Sequence, residues 1–484
     1  MDSYFKDYRE LQRFISHYRA YDALAVVWKA SATLKITPTR RKYAFPLNDY
    51  EFVTPSDLPL IVREIVLNAG SPKSRKARFF KFLTTVIRHI RNISNEADGR
   101  SLSINDVQLE IVRILHRQIP GQGSVESFRF LRYYKLYKSK EIAPYIESYF
   151  DLSIKKLILI AALLMYEAKR NFIIEAKNYL IAKGISEGQI SDLIKRLATP
   201  IEALKEEYKA LQAFDKDWEY SWNPLETRPL ILIEDKIVCP VPDLLFNRFG
   251  FGVYYDLCKM PGFDNAWGDA FEEYIGELLE KIFKAPTYVI HKEKPYEVKK
   301  QQRHGVDWIL EGKDGNVFIE CKTKRMTQGS RANADLEAIK KDISVLADAV
   351  IQLYKNVSDA AAGLTTWKPN NLPTYLLVIT LEDWFMATST IVEMLDEVVR
   401  EKMQQENISL NLLEKWPYGC ISARDFEEIA SAVRDVGIDK FFSEKQKSNY
   451  RSHLWREYTR ENFPNVTPEN ALMTMSDELL EVIA

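Results

Sequence analysis

The pattern of hydrophobic and polar residues is helical along the first part of the chain, and strand-like runs appear only after about residue 215. Before it, apolar residues recur at the three- and four-residue spacing of amphipathic helices, and segments containing Pro or Gly separate the runs. The runs with helical spacing cover residues 4–28, 58–67, 79–93, 107–119 and 152–180. This pattern predicts an N-terminal all-α domain over residues 1–215.

A connector with strand character follows, over residues 216–262. Within it, residues 230–233 and 236–239 are short β-prone runs on either side of Glu234 and Asp235. Two strands separated by two turn residues predict a β-hairpin.

A second predicted hairpin lies further along the chain. Residues 306–310 and 317–321 are apolar and β-prone, and the turn between them contains Gly312, Asp314 and Gly315.

Amphipathic helices flank this second hairpin in the sequence. They cover residues 267–283 and 332–356, and the all-apolar run at residues 375–379 predicts a strand covered on both faces. Residues 287–290 and 296–298 are candidates for one more strand before the hairpin. The predicted order of elements along the chain is therefore helix, strand, strand, strand, helix, strand. The stripe of the second helix that we expect to be buried is Leu336, Ile339, Ile343, Leu346, Val350 and Leu353.

Helical spacing resumes at residues 390–405 and 425–436, with a short strand pattern at residues 418–422 between them. Residues 263–484 are therefore predicted to form a C-terminal α/β domain with a C-terminal helical extension. The chain as a whole is predicted to be multidomain.

Composition and charge narrow the classes of function. A length of 484 residues fits two or three domains, and the 46% apolar and 28% charged fractions are ordinary for a globular protein. The net charge of −1 carries no global sign of nucleic-acid binding, so any such surface must be a local basic patch. The four cysteines are scattered without a CxxC pair, which favours a reducing cytoplasm and argues against a structural zinc.

We expect a cytoplasmic protein without a membrane partner. The polar N-terminus has no secretion signal, and the longest apolar run, residues 157–166, is shorter than the about 20 residues that a membrane-spanning helix needs. The run is interpreted as a buried helix.

Two basic segments stand out in the predicted helical domain. Residues 73–91 carry seven Lys and Arg residues, and residues 127–140 interleave Lys and Arg with aromatic residues. Such segments can bind phosphates and stack on unpaired bases. The helical period favours the alternative, in which the aromatic residues pack inward and the charges face solvent.

Candidate chemistry lies in the second hairpin. Side chains alternate across a strand, so Glu320 and Lys322 share one face, and Asp307 on the neighbouring strand can reach the same place. Converging carboxylates bind hard cations such as Mg²⁺, which lower the pKa of a bound water, and a nearby ammonium can orient that water. The alternative is a solvated ion pair on a strand surface.

This arrangement resembles the PD-(D/E)XK nuclease superfamily, whose members share the restriction-endonuclease-like fold. The resemblance implies a mixed central sheet flanked by helices for residues 263–484. The matching residues are Asp307 and, thirteen positions later, Glu320-Cys321-Lys322, and the matching element order covers about residues 265–385. Val306 stands where the family usually has proline. The resemblance implies a Mg²⁺-dependent nuclease, with Mn²⁺ able to substitute. It makes Asp307, Glu320 and Lys322 catalytic, the two carboxylates holding the metal and Lys322 positioning the attacking water.

The helix predicted at residues 267–283 contains GDAFEEYIGELL, which resembles the first core helix of the superfamily. That helix often supplies a glutamate to the metal site, so the resemblance assigns a metal-binding role to Glu272, with Glu273 second. The alternative is a surface glutamate that the helix dipole stabilises.

Three further residues are candidates for substrate contact. Lys324 lies on the same predicted strand face as Lys322 and is expected to contact the phosphate backbone. Arg303 and His304 lie at the mouth of the hairpin, where they either touch substrate or only flank the turn.

A long helical region joined to such a core resembles bacterial defence effectors against phage. The resemblance implies an endonuclease that stays inactive until the helical domain binds a trigger, such as a phage-derived protein. Nucleic acid is the expected substrate, with DNA favoured over RNA, and cutting both strands of a duplex would favour a homodimer. The alternatives are a noncatalytic nucleic-acid-binding or sensor protein on a nuclease fold, and a DNA-processing nuclease of repair or transposition.

Overall fold

The structure is a computed structural model, and the chain forms two compact units. Among the residues that the structure describes, the first unit lies within 6–107 and 116–263, and the second lies within 108–115 and 264–472. The residues that the structure describes are 6–33, 45–46, 52–71, 74–101, 107–118, 123–175, 177–214, 217–298, 300–384, 386, 388–466 and 469–472.

Helices dominate the chain before residue 263, as the helical periodicity predicts. The run predicted at residues 152–180 is interrupted after Arg170, because Asn171 adopts an extended backbone conformation. The helices are α1 (Lys6–Ser16), α2 (Ala20–Thr33), α3 (Asp57–Asn68), α4 (Phe79–Ser101), α5 (Val107–Gln118), α6 (Gly123–Tyr137), α7 (Ala143–Phe150), α8 (Ile154–Arg170), α9 (Lys177–Ala182), α10 (Glu187–Leu197), α11 (Ile201–Leu211), α12 (Pro242–Phe249) and α13 (Gly252–Leu257).

Short strands are present among these helices, so the prediction of an all-α domain over residues 1–215 is incomplete. β1 (Phe45–Pro46) pairs antiparallel with β2 (Phe52–Val53), and β3 (Ala198–Pro200) pairs parallel with β4 (Leu230–Ile233). Proline disfavours the helical conformation in the residue before it, so the segment ending at Pro200 is extended and can join a sheet.

The hairpin predicted at residues 230–239 is confirmed. β4 pairs antiparallel with β5 (Lys236–Val238), and the turn residues Glu234 and Asp235 have φ angles of 48° and 59°. Two consecutive left-handed residues match the type I′ turn that suits the twist of a hairpin. Ile231 and Val238 lie in the hydrophobic core of the first unit.

The aromatic residues of the second basic segment pack inward. The Tyr137 hydroxyl donates a hydrogen bond to the Gly250 carbonyl at 2.8 Å. The buried aromatic residues on α6 are Phe130, Tyr133, Tyr134 and Tyr137. The packing interpretation is therefore confirmed, and these rings are not available to stack on bases.

The apolar run at residues 157–166 lies in α8 and is only partly covered. Leu157, Ile160 and Leu164 are buried, whereas Tyr166 is 60% exposed. Within the described ranges, every helix is too short or too polar to cross a bilayer.

The second unit is built around a five-stranded mixed sheet. Its elements are α14 (Phe263–Ile282), β6 (Val289–His291), β7 (Tyr296–Val298), β8 (Gln301–Arg303), β9 (Trp308–Glu311), β10 (Asn316–Lys322), α15 (Gln328–Ala332), α16 (Leu336–Ala361), β11 (Thr374–Thr380), α17 (Ser389–Gln405), α18 (Leu412–Lys415), β12 (Tyr418–Ser422), α19 (Ala423–Val436), α20 (Ile438–Lys445) and α21 (Trp455–Asn462).

The strand order of this sheet is β12-β11-β10-β9-β6. β9 runs antiparallel to β6 and β10, whereas β10, β11 and β12 are mutually parallel. All of β11 is buried, which confirms a strand covered on both faces, and the central strand β10 is buried except at Lys322. The strands predicted at residues 306–310, 317–321, 375–379 and 418–422 are all present, with ends shifted by no more than two residues.

The helix predicted at residues 332–356 begins later, at Leu336. The Asp335 carboxylate accepts hydrogen bonds from the backbone N–H groups of Glu337 and Ala338 and caps α16 there, and α15 is a separate turn of helix. Leu336 is 43% exposed, so its assignment to the buried stripe is wrong; it lies in the first turn, at the capped end. The remaining predicted stripe residues, Ile339, Ile343, Leu346, Val350 and Leu353, are buried.

The residues expected to give one more strand divide between two sheets. β6 joins the edge of the five-stranded sheet, whereas β7 pairs antiparallel with β8 as a separate two-stranded sheet, here called the ribbon. The helices predicted at residues 390–405 and 425–436 correspond to α17 and α19.

The turn between β9 and β10 is fixed to α20. Oδ1 and Oδ2 of Asp314 accept hydrogen bonds from the backbone N–H groups of Ile438 and Asp439 at 3.2 and 3.1 Å. Gly437 precedes them with a φ of 99°, and a Cβ there would lie 2.5 Å from Asp314 Oδ2. Glycine is therefore required both for the backbone conformation and for space.

We expect Gly437→Ala to destabilise the second unit by about 3 kcal/mol, because it adds a steric clash to the cost of a left-handed alanine. Gly363→Ala is the matched control. Gly363 also has a positive φ, of 75°, but nothing lies within 4 Å of a Cβ there. The control should cost about 1 kcal/mol. Urea denaturation of both variants measures the difference, and equal losses would contradict the role of the Asp314 contact.

Candidate active site

The β9–β10 hairpin brings Asp307 and Glu320 together. Trp308 pairs with Ile319 across the hairpin, so Asp307, the residue before β9, continues the register opposite Glu320. Asp307 Oδ2 accepts a hydrogen bond from the Cys321 backbone N–H at 2.6 Å. This bond holds the aspartate against the central strand.

Glu320 and Lys322 form an ion pair on one face of β10. Lys322 Nζ donates to Glu320 Oε1 at 2.6 Å and to Gln352 Oε1 at 3.3 Å. The Glu320 side chain is 2% exposed and that of Lys322 is 33% exposed. A pair with one fully buried partner does not fit the alternative of a solvated surface ion pair.

Glu272 is placed next to this pair by close packing of α14. Trp308 Nε1 donates to the Glu272 carbonyl at 2.9 Å, and a Cβ at Gly276 would clash with the Trp308 ring. Glu272 is half-buried, whereas Glu273 is exposed and forms an ion pair with Lys292. Of the two glutamates considered from the sequence, only Glu272 faces the carboxylates of the hairpin.

Burial and mutual repulsion raise the pKa of the three carboxyl groups. Burial first, and then the Glu320 carboxylate, raise the pKa of Asp307 to about 7. Burial, and then the Asp307 carboxylate, raise the pKa of Glu272 to about 7. Burial also raises the pKa of Glu320, against the opposing effect of Lys322.

The Lys322 ammonium is the balancing charge. Burial by itself lowers its pKa, but the carboxylates of Glu320 and Asp307 outweigh burial, and the net pKa is raised. Lys322 thus faces three acidic groups. The Lys292 ammonium also acts on Glu272, but it is paired with Glu273, so acidic groups outnumber basic ones at the site.

The donor set suits a hard divalent cation. Mg²⁺ is usually bound by one or two carboxylates and keeps several waters. Glu320 Oε2 is buried and has no hydrogen-bond partner among the described residues. A buried carboxylate oxygen without a partner is energetically costly, and a cation held with Asp307 would relieve that cost.

The three carboxylates of the site are spread more widely than a complete ligand shell. Across the part of the chain that the structure describes, three potential ligand atoms lie within 4.8 Å of one another only at Asp7, Glu10 and His89, in the first unit. Asp307, Glu320 and Glu272 therefore do not form a cluster of that tightness.

The residues predicted to contact substrate are only partly adjacent to this pair. β10 ends at Lys322, so Lys324 is exposed but lies beyond the strand, not on its face as expected. The reason is that the chain leaves the sheet toward α15. Arg303 Nη1 forms an ion pair with Asp359 Oδ2 at 2.6 Å, whereas His304 is exposed.

Sequence reasoning did not identify Gln352 or the packing of Trp308 on Gly276. Gln352 lies on α16 between the buried residues Ile351 and Leu353, and a polar residue within an apolar helical run is only a weak signal. Gly276 lies within the helical run of residues 267–283, where glycine is unfavourable. Such a glycine can indicate that another residue packs closely against the helix at that position.

Comparisons with known proteins do not identify a family. No family model matches the chain, and no solved structure matches it significantly. Glutamate–tRNA ligase 2 of Caldicellulosiruptor saccharolyticus is 23% identical over 187 residues. The match covers 38% of this chain and 38% of that relative, so the chain spans much less than half of the relative's length.

We expect Gly276→Ala to destabilise the second unit by about 2 kcal/mol, because the added methyl group would push α14 away from Trp308. Gly268→Ala on the same helix is the control, since a Cβ there meets nothing within 4 Å. Thermal unfolding measures both variants. A neutral Gly276→Ala would show that this packing does not fix Glu272.

We expect the affinity for Mg²⁺ to rise as the pH rises through about 7, where Asp307 and Glu272 lose their protons. In the folded protein the pKa values of Asp307 and Glu272 lie above the ordinary values of 3.8 and 4.5. Without a cation, the free energy of unfolding should therefore fall as the pH rises from about 4 to above 7. Calorimetric titration in two buffers of different ionisation enthalpy measures the protons released. Asp307→Asn should reduce that release, and binding that is independent of pH would contradict the assignment.

Proposed function

We propose that the chain is a metal-dependent nuclease that hydrolyses phosphodiester bonds, acting as an endonuclease. The observation that carries the proposal is the buried Glu320 carboxylate. One of its oxygens accepts a hydrogen bond from Lys322, and no residue that the structure describes donates to the other. The Asp307 carboxyl group interacts with this carboxylate from the start of the neighbouring strand. Burying these charges costs free energy of folding, and a bound cation would offset that cost. Such groups are therefore more common at functional sites than in purely structural strands.

The architecture of the second unit supports the same proposal. Along the chain, α14, β6, β9, β10, α16 and β11 follow the order helix, strand, strand, strand, helix, strand that the resemblance implied. The mixed sheet places β10 at its centre. We therefore propose a restriction-endonuclease-like core, with the ribbon as an insertion between β6 and β9.

Each residue of the site has a distinct role in this proposal. Asp307 and Glu320 would hold Mg²⁺, or Mn²⁺, with Glu272 assisting. The cation, when bound, supplies a polarised phosphate oxygen and a water of lowered pKa. Lys322 is held between Glu320 and Gln352, so its ammonium is already oriented to position the attacking water and to offset charge developing on the phosphate.

The helical unit would regulate this activity. Exposed basic residues precede and begin α4, namely Arg75, Lys76, Arg78 and Lys81. They offer a charged surface that a trigger or a nucleic acid could contact. We propose an effector of bacterial defence against phage, in which the helical unit recognises the trigger and the second unit cuts nucleic acid.

The decisive experiment compares wild type with Lys322→Ala. Supercoiled plasmid, structured RNA and tRNA serve as substrates, each with Mg²⁺, Mn²⁺ or EDTA; tRNA is included because the matching relative is a tRNA ligase. We expect metal-dependent cutting by wild type and a loss of at least about 100-fold in Lys322→Ala, since positioned acid–base and electrostatic groups contribute that much. Lys313→Ala, an exposed lysine in the β9–β10 turn, is the matched control and should cut like wild type.

The outcomes separate the alternatives. Cutting that survives both Lys322→Ala and EDTA would refute the site. If wild type cuts nothing, wild type and Lys322→Ala are expressed in bacteria challenged with phage, to decide between a triggered nuclease and a noncatalytic protein. Protection by wild type alone supports a triggered nuclease, and equal behaviour supports a noncatalytic protein on a nuclease fold. Cutting confined to the ends of mobile elements would support a DNA-processing enzyme.

A further inference from the structure

The ribbon formed by β7 and β8 is a polar structure with a firmly held base. The Tyr296 hydroxyl donates to Asp359 Oδ2 at 2.8 Å and lies 3.0 Å from Asn356 Oδ1, and Arg303 pairs with the same Asp359 carboxylate. Tyr296 and Arg303 are cross-strand partners, so both strands of the ribbon are tied to one position on α16.

The connection before β7 is fixed as well. Glu293 Oε1 accepts hydrogen bonds from the Thr366 hydroxyl and the Trp367 backbone N–H, each at 2.9 Å. A Cβ at Gly305 would lie 2.6 Å from Glu293 Cβ, so the segments entering and leaving the ribbon are closely packed. The base of the ribbon is therefore preorganised.

The ribbon and the segment that enters it carry exposed basic residues. Residues 291–304 contain five Lys and Arg residues and two Glu residues, a net charge of +3 in a chain whose net charge is −1. Two of the five, Lys292 and Arg303, are paired with Glu273 and Asp359 outside the segment, whereas Lys294 and Lys300 are exposed. The exposed polar residues of the ribbon and its approaches are Lys292, Lys294, Glu297, Lys300, Gln301, Gln302 and His304. Local positive charge with exposed amide groups is complementary to phosphates and to the edges of base pairs.

The same face of α16 holds the ribbon and the candidate active site. Gln352, Asn356 and Asp359 have the four- and three-residue spacing of one helical face. Gln352 contacts Lys322, whereas Asn356 and Asp359 contact the ribbon. Asp307 also follows Arg303 by four residues, a span of at most about 14 Å.

We propose that the ribbon inserts into the major groove of duplex DNA and thereby positions a phosphodiester bond at Asp307, Glu320 and Lys322. The inference rests on the proposed nuclease function and names its substrate. The major groove of B-form DNA admits a two-stranded β-ribbon, whereas that of A-form RNA is too narrow and deep for side chains to read. Lys294 and Lys300 contact phosphates, and Gln302, on the face opposite Tyr296 and Arg303, faces the base edges.

The test measures binding separately from cutting. Lys322→Ala, with Ca²⁺ replacing Mg²⁺, is titrated against a short DNA duplex and an RNA duplex of the same sequence at several salt concentrations. Lys294→Glu with Lys300→Glu is then added to this background. We expect the affinity for DNA to fall by about tenfold or more, and the slope of log affinity against log salt to decrease by about 2.

Lys313→Glu with Lys440→Glu is the matched control. Both lysines are exposed, and the substitutions make the same change in net charge, but they lie at the β9–β10 turn and on α20, at the other end of the hairpin from Asp307. The control should leave the affinity for DNA within about twofold, and RNA should bind more weakly than DNA in every variant.

A second measurement identifies the groove. Methylation of guanine N7, which lies in the major groove, should weaken binding by the protein with an intact ribbon and have little further effect on the ribbon variant. Any of four results would overturn the inference: an equal loss of DNA affinity in the ribbon and control variants, tighter binding of RNA than of DNA, binding that is insensitive to N7 methylation, or no binding to either duplex.

These results are distinguishable from failure of the nuclease proposal. If the ribbon variant binds DNA as tightly as its background while wild type cuts DNA and Lys322→Ala does not, the nuclease stands and the ribbon inference fails. Ribbon-dependent DNA binding by a wild type that does not cut, even in cells challenged with phage, would leave the ribbon as a DNA-binding element and refute the nuclease.

Discussion

Three carboxyl groups and one ammonium group meet at the end of a buried strand, and most of the second unit can be understood as the framework for this arrangement. Removing an ion from water costs several kcal/mol unless partners compensate for it. Asp307 accepts a backbone N–H, and Glu320 accepts the Lys322 ammonium. Burial first, and then repulsion from neighbouring carboxylates, raise the pKa of all three acids. A cation is the partner that would complete this balance.

Packing, and not only charge, fixes the positions of these groups. α14 is held against Trp308 at Gly276, which places Glu272, and α16 packs on β10 and β11 and places Gln352 against Lys322. The same helix then holds the ribbon through Asn356 and Asp359. One rigid element therefore sets the distance between the acidic site and the basic surface proposed to bind DNA, as a site that acts on a long substrate requires.

The two basic segments of the first unit and the ribbon illustrate how burial changes the interpretation of charge. The aromatic residues Phe130, Tyr133, Tyr134 and Tyr137 of α6 are buried in the protein interior and cannot stack on bases, although the sequence interleaves them with Lys and Arg as in a nucleic-acid-binding surface. The ribbon has fewer aromatic residues but keeps its lysines and glutamines exposed on a fixed base. Accessibility of the charged and amide groups decides which segment is suited to a polyanion.

The sequence by itself determined the strands and helices that carry the candidate site. Apolar, β-prone runs located β9, β10, β11 and β12, because a strand that is covered on both faces is apolar along its length. It also singled out Asp307, Glu320 and Lys322, since alternation alone places Glu320 and Lys322 on one face. Only the tertiary structure decided that Glu320 is fully buried, that Arg303 is engaged by Asp359, and that Lys324 lies beyond the strand. Those facts depend on contacts between residues far apart in the chain, as do the contact of Gln352 with Lys322 and the pairing of β7 with β8 outside the sheet, and local periodicity carries no information about such contacts.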